Sequence, residues 1–229
     1  MNNTKKIVCS VLTIIGIITG GSTAYQHQTT TNVDAVTNVD SVVKDVRQFD
    51  DWERTVSSAL EPDAKAIGLV RIGDLTVGEL IVSPNALKVI GDAEGCRRSP
   101  YVCPAGLKTD GIGNTHNVKD GVKTDEQIAI DWTRNIIDAQ NCLASSADVS
   151  LMSQGQIDAF TSFIFNTGCT RFKHNRDGSE TRIYHKIKQG WFVGACNELN
   201  YWVYAGGEKF AGLVSRRALE TKVCHGLSL

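Results

Sequence analysis

Seven cysteines in a chain of 229 residues, Cys9, Cys96, Cys103, Cys142, Cys169, Cys196 and Cys224, narrow the folds open to this sequence more than any other feature. Thiols at this density belong in an oxidising compartment, where they pair as disulfides. No Cys-x-x-Cys pair and no Cys/His spacing typical of zinc occurs, so no structural metal and no cofactor is expected. Because the number is odd, one thiol is left over, and the pairing of Cys142, Cys169, Cys196 and Cys224 stays open among its three possibilities.

The N-terminus agrees with an exported chain. Lys5 and Lys6 precede an uncharged run from Ile7 to Ala24 that is rich in Val and Ile but diluted by Gly, Ser and Thr. As a helix this run would span about 27 Å at roughly 1.5 Å per residue, slightly less than a hydrocarbon core of about 30 Å. Ser22-Thr23-Ala24 fits a signal-peptidase site, which would make the run a removable signal peptide. The alternative is a retained, weak anchor with its N-terminus in the cytoplasm, and the poor hydrophobicity near the outer end favours it.

Three segments are expected: a signal-anchor or signal peptide over 1–25, an acidic spacer or insert over 26–82, and a main domain over 83–229. Residues 26–82 carry five Lys/Arg against ten Asp/Glu, whereas 83–229 carry seventeen against fifteen. A formal net charge of -1 and the lack of a long basic run argue against nucleic acid, and any anionic polymer would meet the second part. Within the insert, two imperfect copies beginning at Thr31 and Thr37 read as a polar spacer. The helical spacing of Val46, Phe49, Trp52, Val56 and Leu60 predicts a helix stopped by Pro62, and Ile67 to Val82 predicts one or two short strands.

Ser83-Pro84 forms a cap and first turn for a helix through Leu87 and Ile90 that ends at Glu94. Pro100, Pro104, Gly106 and Gly111-Ile112-Gly113 then break the chain into a small hairpin lobe. Thr124 and Gln127 have capping-box spacing for a helix running to about Cys142. Further helices are expected over Gln154–Phe165, Thr181–Gln189, Trp191–Asn200 and Leu213–Val223. The class is therefore α+β, mostly helical, with a small β-hairpin lobe. Glu94, at a helix end facing that lobe and partly shielded by apolar neighbours, is the candidate general acid.

Glu94, eight residues, Cys103, five residues, Thr109 is a spacing that resembles the bacteriophage-type lysozymes, the endolysins, which carry Glu, then Asp or Cys, then Thr at these intervals. Thr109-Asp110-Gly111-Ile112-Gly113-Asn114-Thr115-His116 is similar to the family's strand and turn. Phe160 to Gly168 is similar to its Ser-Phe-x-Phe-Asn-x-Gly helix. Trp202, Gly206-Gly207 and Gly212 to Arg217 are similar to its C-terminal signature. The motifs follow family order from about Ser83 to Val223, leaving the N-terminal third uncovered.

The resemblance implies a phage-lysozyme-like fold with the hairpin lobe beside an active-site cleft. It also implies hydrolysis of the β-1,4 bond between N-acetylmuramic acid and N-acetylglucosamine in peptidoglycan, with an inverting outcome as the family expectation. Glu94 would protonate the leaving oxygen, Thr109 would position water, and Cys103, in place of the more usual Asp, would orient water or stabilise charge. Asn114, Phe165 and Asn166 match cleft-lining positions. Arg216 and Arg217 read as cations coating a helix end more readily than as partners of cleft carboxylates.

Some anchored members of the family are exported inactive and switched on when the N-terminal helix leaves the membrane. The resemblance assigns Cys9, Cys96 and Cys103 to such a switch. A Cys96–Cys103 bond, sterically reasonable over seven residues of turn-rich chain, would cage the site until Cys9 takes over Cys96. The implied product has Cys9 joined to Cys96, two bonds among the last four cysteines, and Cys103 as a thiol. The implied partners are peptidoglycan and the inner membrane, for a monomer tethered on the periplasmic face and then released to the periplasm. Competing readings are a membrane-tethered peptidoglycan-binding protein without catalysis and a lytic transglycosylase.

Overall fold

A computed structural model describes residues 8–20, 60–61, 63–103 and 106–227. The expected cleavage site at Ser22-Thr23-Ala24, the polar spacer and all of the expected 46–60 helix except Leu60 lie outside the described residues. The described chain runs α1 (Val11–Ile18), β1 (Gly68–Ile72), β2 (Leu75–Leu80), α2 (Pro84–Glu94), β3 (Arg97–Val102) and β4 (Lys108–Gly111). It continues with α3 (Asp125–Ala144), α4 (Gln154–Thr167), α5 (Cys169–Lys173), α6 (Arg182–Lys188), α7 (Phe192–Glu198), β5 (Tyr204–Ala205), β6 (Glu208–Lys209) and α8 (Ala211–Cys224). The strands form three separate antiparallel pairs, β1–β2, β3–β4 and β5–β6. This is the mostly helical α+β class with small strand pairs expected from the sequence.

Local chemistry explains where the helices begin. Ser83 caps α2 by accepting the Asn85 N–H, with Pro84 in the first turn, and Gly95 (φ +68°) ends the helix immediately after Glu94. Both halves of the capping box are made at Thr124 and Gln127, starting the 20-residue α3. A second capping box, Ser153 with Gln156, starts α4, which runs two residues past its expected end to Gly168 (φ +79°). The expected helix over Trp191–Asn200 instead divides into α7 and a 3-10 turn, Leu199–Tyr201.

Two apolar clusters share α3 and α4. One gathers Leu143, Phe160, Phe163, Phe172, Ile183, Leu199 and Leu219 from the C-terminal helices. The other gathers α1, the β1–β2 hairpin, α2 and the first half of α3, with Ile14, Val70, Leu87 and Trp132 fully enclosed. Ile157 and Phe165 of α4 touch both clusters. At Gly155 a Cβ would lie 2.2 Å from the Val223 carbonyl oxygen, so a glycine there lets α4 and α8 approach backbone to backbone.

Buried polar groups lock α2 to α4. Asp158 accepts the Ser83 N–H at 2.8 Å and the Gln154 amide at 2.9 Å, and it bonds the Ser83 hydroxyl. Burial pushes its carboxyl up from 3.8 to about 6, against the pull of these bonds. A carboxyl raised by folding binds more protons in the folded state, so this group's contribution to stability is complete below about pH 4 and is lost as pH rises through 6. Asp158→Asn keeps the geometry and removes the titration. Urea melts at pH 4 and pH 6.5 are therefore expected to show the parent losing about 2–3 kcal/mol more than the variant across that window.

Candidate active site

Glu94 stands at the last residue of α2, with its side chain 24% exposed. Its two oxygens are differently placed. Oε1 accepts from Arg216 Nη1 at 2.7 Å, while Oε2 faces Gly113, where a Cβ would stand only 3.2 Å away. Gly113 has φ +65°, so both its backbone and the space beside the carboxylate call for glycine. The acid is thus held on one oxygen and open on the other.

What holds it is a buried ionic network on α8. Arg216, 4% exposed, also donates to Glu220 Oε1 at 3.1 Å and to the Ser162 carbonyl at 3.2 Å. Ser162 Oγ donates to the same Glu220 oxygen at 2.7 Å, and Arg217 bonds both Glu220 and Asn166. Arg216 and Arg217 are therefore not a surface coat, contrary to the sequence expectation: both are enclosed, and Arg216 is the partner of the cleft carboxylate. The helix α8 turns both arginines inward onto α4, where Glu220 compensates them.

Thr109 lies in β4, opposite Tyr101 of β3, and is 2% exposed. Its hydroxyl donates to the Leu107 carbonyl at 3.0 Å, which commits its proton and leaves its lone pairs as acceptors. Cys103 follows β3, its N–H donating to the Leu107 carbonyl at 2.9 Å, and it remains a thiol. The Tyr101 phenol sits among these groups. Burial raises its pKa, Arg97 stacked 4.1 Å from its ring centre opposes that, and negative charge at Glu94, Cys103 and Asp110 adds to the rise.

The turn after β4 rests on a second polar cluster that sequence reasoning did not single out. Asp110 is fully buried and accepts from Asn114 Nδ2 at 2.7 Å and from Lys123 Nζ at 2.8 Å, while Lys123 also reaches Asp131 at 2.7 Å. Asn114 is itself buried, with its amide spent on Asp110, His116 and Asn135. Phe165 is half-buried and lines a cavity of about 310 Å³ together with Gly113, His116, Asn135 and Asp138. Asn166 is exposed, its oxygen turned to Arg217. Among the described residues no group of His, Cys, Asp and Glu is arranged to hold a metal.

Three disulfides are present: Cys9–Cys96, Cys142–Cys169 and Cys196–Cys224, with Cα separations of 5.1, 5.9 and 5.7 Å. The first joins the segment before α1 to the residue two beyond Glu94. Beside it, Cys9 N–H donates to the Cys96 carbonyl and Val8 bridges Arg97.

The candidate site thus centres on a carboxyl at a helix end, set against a glycine turn and backed by a buried arginine, and the family match identifies the chain as a lysozyme-type glycoside hydrolase. The phage lysozyme family model matches residues 91–220, and the chain belongs to that family. It is 41% identical over 153 residues to the SAR-endolysin of Escherichia phage P1, covering 64% of this chain and 83% of that protein. It is 39% identical over 151 residues to the SAR-endolysin of Haemophilus phage HP1, covering 63% and 81%. The active form of P1 phage endolysin Lyz superposes with a TM-score of 0.56 at 43% identity, over 61% of this chain and 82% of that one. A P22 lysozyme mutant shares the fold, with a TM-score of 0.52 over 62% and 96% of the two chains.

Proposed function

We propose that this chain is an endolysin that cuts the β-1,4 bond between N-acetylmuramic acid and N-acetylglucosamine in peptidoglycan, and that it is exported inactive and switched on by release from the membrane. The observation that carries the catalytic reading is the asymmetry at Glu94. Arg216 holds Oε1, so Oε2, beside Gly113, is the oxygen that gives its proton to the leaving glycosidic oxygen. As the bond breaks, positive charge develops on the sugar ring. A water on the opposite face completes the displacement, positioned by donating a hydrogen bond to the Thr109 hydroxyl oxygen, whose own proton is spent on Leu107, and the proton the water sheds on attack passes to solvent. Cys103 lies on the same lobe and orients that water or offsets the charge.

The switch uses the thiols already named. In the tethered form Cys96 is bonded to Cys103, and Cys9 is held in hydrocarbon, where its thiol does not ionise. After release the Cys9 thiolate attacks the Cys96 sulfur. The Cys9–Cys96 bond forms as Cys96–Cys103 breaks, and Cys103 leaves as a thiolate that takes up a proton, with no external oxidant or reductant. A Cys9–Cys96 bond beside a Cys103 thiol is the product state of that exchange. The domain then works on the periplasmic side, on the cell wall of the host.

Cys9→Ser, with export unchanged, is expected to leave the Cys96–Cys103 cage closed and to delay lysis severely after the membrane potential is collapsed. Lysis at the parental rate would refute the switch. Muropeptide products bearing an anhydro sugar would replace hydrolysis by a transglycosylase reaction.

A further inference from the structure

Trp191 stands at the start of α7, in the cap position that Ser, Thr, Asp or Asn usually takes, and no side-chain capping bond is made there. Three residues on, inside the same helix, Gly194 is buried, and a Cβ there would lie 2.4 Å from the indole carbon Cε2 of Trp191. Glycine is the weakest helix former after proline. The chain thus forgoes both a cap and a better helix former, and what these concessions admit is an indole laid against the Gly194 backbone. That indole remains 58% exposed. Burial of apolar surface does not account for it.

Ions connect this ring to a second exposed aromatic. Lys186 of α6 places Nζ 4.9 Å from the centre of the Trp191 ring and donates to the Gly194 carbonyl at 3.4 Å. Lys186 also bonds the buried Glu198, whose other oxygen pairs with Arg182 Nε at 2.9 Å. Arg182 in turn lies 4.7 Å from the ring centre of Tyr201, which is 66% exposed. Two rings and two cations are therefore fixed around one enclosed carboxylate, and the set is net positive.

The charge of the main domain is concentrated in the same place. Residues 169–201 carry six Lys/Arg against three Asp/Glu, whereas the rest of 83–229 carries eleven against twelve. None of Arg182, Lys186, Trp191 and Tyr201 is among the residues lining the cavity beside Gly113. Peptidoglycan is a polymer that offers both kinds of matching surface. Its sugar rings present faces of C–H bonds, which suit the negative face of an aromatic ring, and its stem peptides carry carboxylates, which suit Arg182 and Lys186.

We propose that Trp191 and Tyr201, with Lys186 and Arg182, form a second binding site for a peptidoglycan strand, which keeps the enzyme on the wall between cuts. The inference rests on the endolysin reading, which supplies the polymer. Exposed aromatics with cations also suit a bilayer surface, but here each ring is paired with a cation around a carboxylate, and the rings are not gathered into one apolar face that could enter lipid. Two contacts on one polymer reinforce each other, because the first raises the effective concentration of the second.

The test measures co-sedimentation of the full-length Glu94→Gln chain with purified sacculi, since slowed turnover leaves the wall intact during the assay. Trp191→Ala and Tyr201→Ala, each made in that background, are expected to raise the apparent Kd about tenfold. Tyr201 is exposed and outside α7, so its variant reports on binding even if loss of the indole loosens that helix. Parental affinity in Tyr201→Ala, or in a Trp191→Ala protein with a parental thermal melt, overturns the site. Parental affinity for sacculi together with weakened binding to vesicles of phosphatidylglycerol and phosphatidylethanolamine makes the face a membrane contact and overturns the glycan assignment. These outcomes leave the endolysin reading standing. That reading fails separately, and takes the second site with it, if the parental chain releases no reducing ends from the same sacculi.

Discussion

Glu94→Gln is expected to lower the turnover of purified peptidoglycan by about 10²–10⁴-fold, the usual contribution of a positioned general acid. The reason is specific to the two oxygens. Glutamine still offers an oxygen to Arg216 Nη1, so the side chain keeps its place, but the atom facing Gly113 is then an amide nitrogen with no acid proton to give. Binding is little affected, so kcat falls and KM does not. Reducing-end release at saturating substrate measures this directly, and a variant within tenfold of the parent would remove Glu94 from the mechanism. A thermal melt serves as the control and is expected to change little.

Arg216→Met is expected to cause a large loss of stability. Arg216 is 4% exposed and compensates Glu220, which is fully buried, as well as Glu94 and the Ser162 carbonyl. Its removal leaves Glu220 with Arg217 and the Ser162 hydroxyl and leaves Glu94 without its anchor. Breaking one side of a buried ion pair typically costs about 3–5 kcal/mol, because the remaining charge stays desolvated. The midpoint of urea unfolding reports it. Arg216→Lys is expected to recover part of the stability and little of the activity, since an ammonium cannot span Glu94, Glu220 and Ser162 as the planar fork does. Full activity in the lysine variant would show that charge, rather than the held geometry of Oε1, is what Glu94 requires.

The disulfides act on the same architecture. Cys196–Cys224 ties α7 to the end of α8, the helix that carries Arg216, and Cys142–Cys169 ties α3 to α5 at the rim of the cavity lined by Phe165. Cys9–Cys96 differs from these two, since it crosses 87 residues and joins the N-terminal segment to the loop after Glu94. Two bonds brace the C-terminal helices, and the third fastens the N-terminal segment beside Glu94.

What the chain determined by itself is whatever short-range chemistry controls. The caps at Ser83, Thr124 and Ser153, the stop at Gly95, and the glycine turn beginning at Gly111 all act over a few residues, and they place Glu94 at a helix end with Thr109 on a strand. The intervals between Glu94, Cys103 and Thr109 are equally local. Only the tertiary structure decided who meets whom. Arg216 reaches Glu94 across 122 positions, and nothing in the repeat of α8 tells whether its cations face water or Glu220. The pairing of four cysteines depends likewise on helices brought together by the two apolar clusters. Helix ends are set by backbone hydrogen bonds made within one turn, whereas partners across the fold are chosen by burial, which selects among distant side chains only once the core has closed around them.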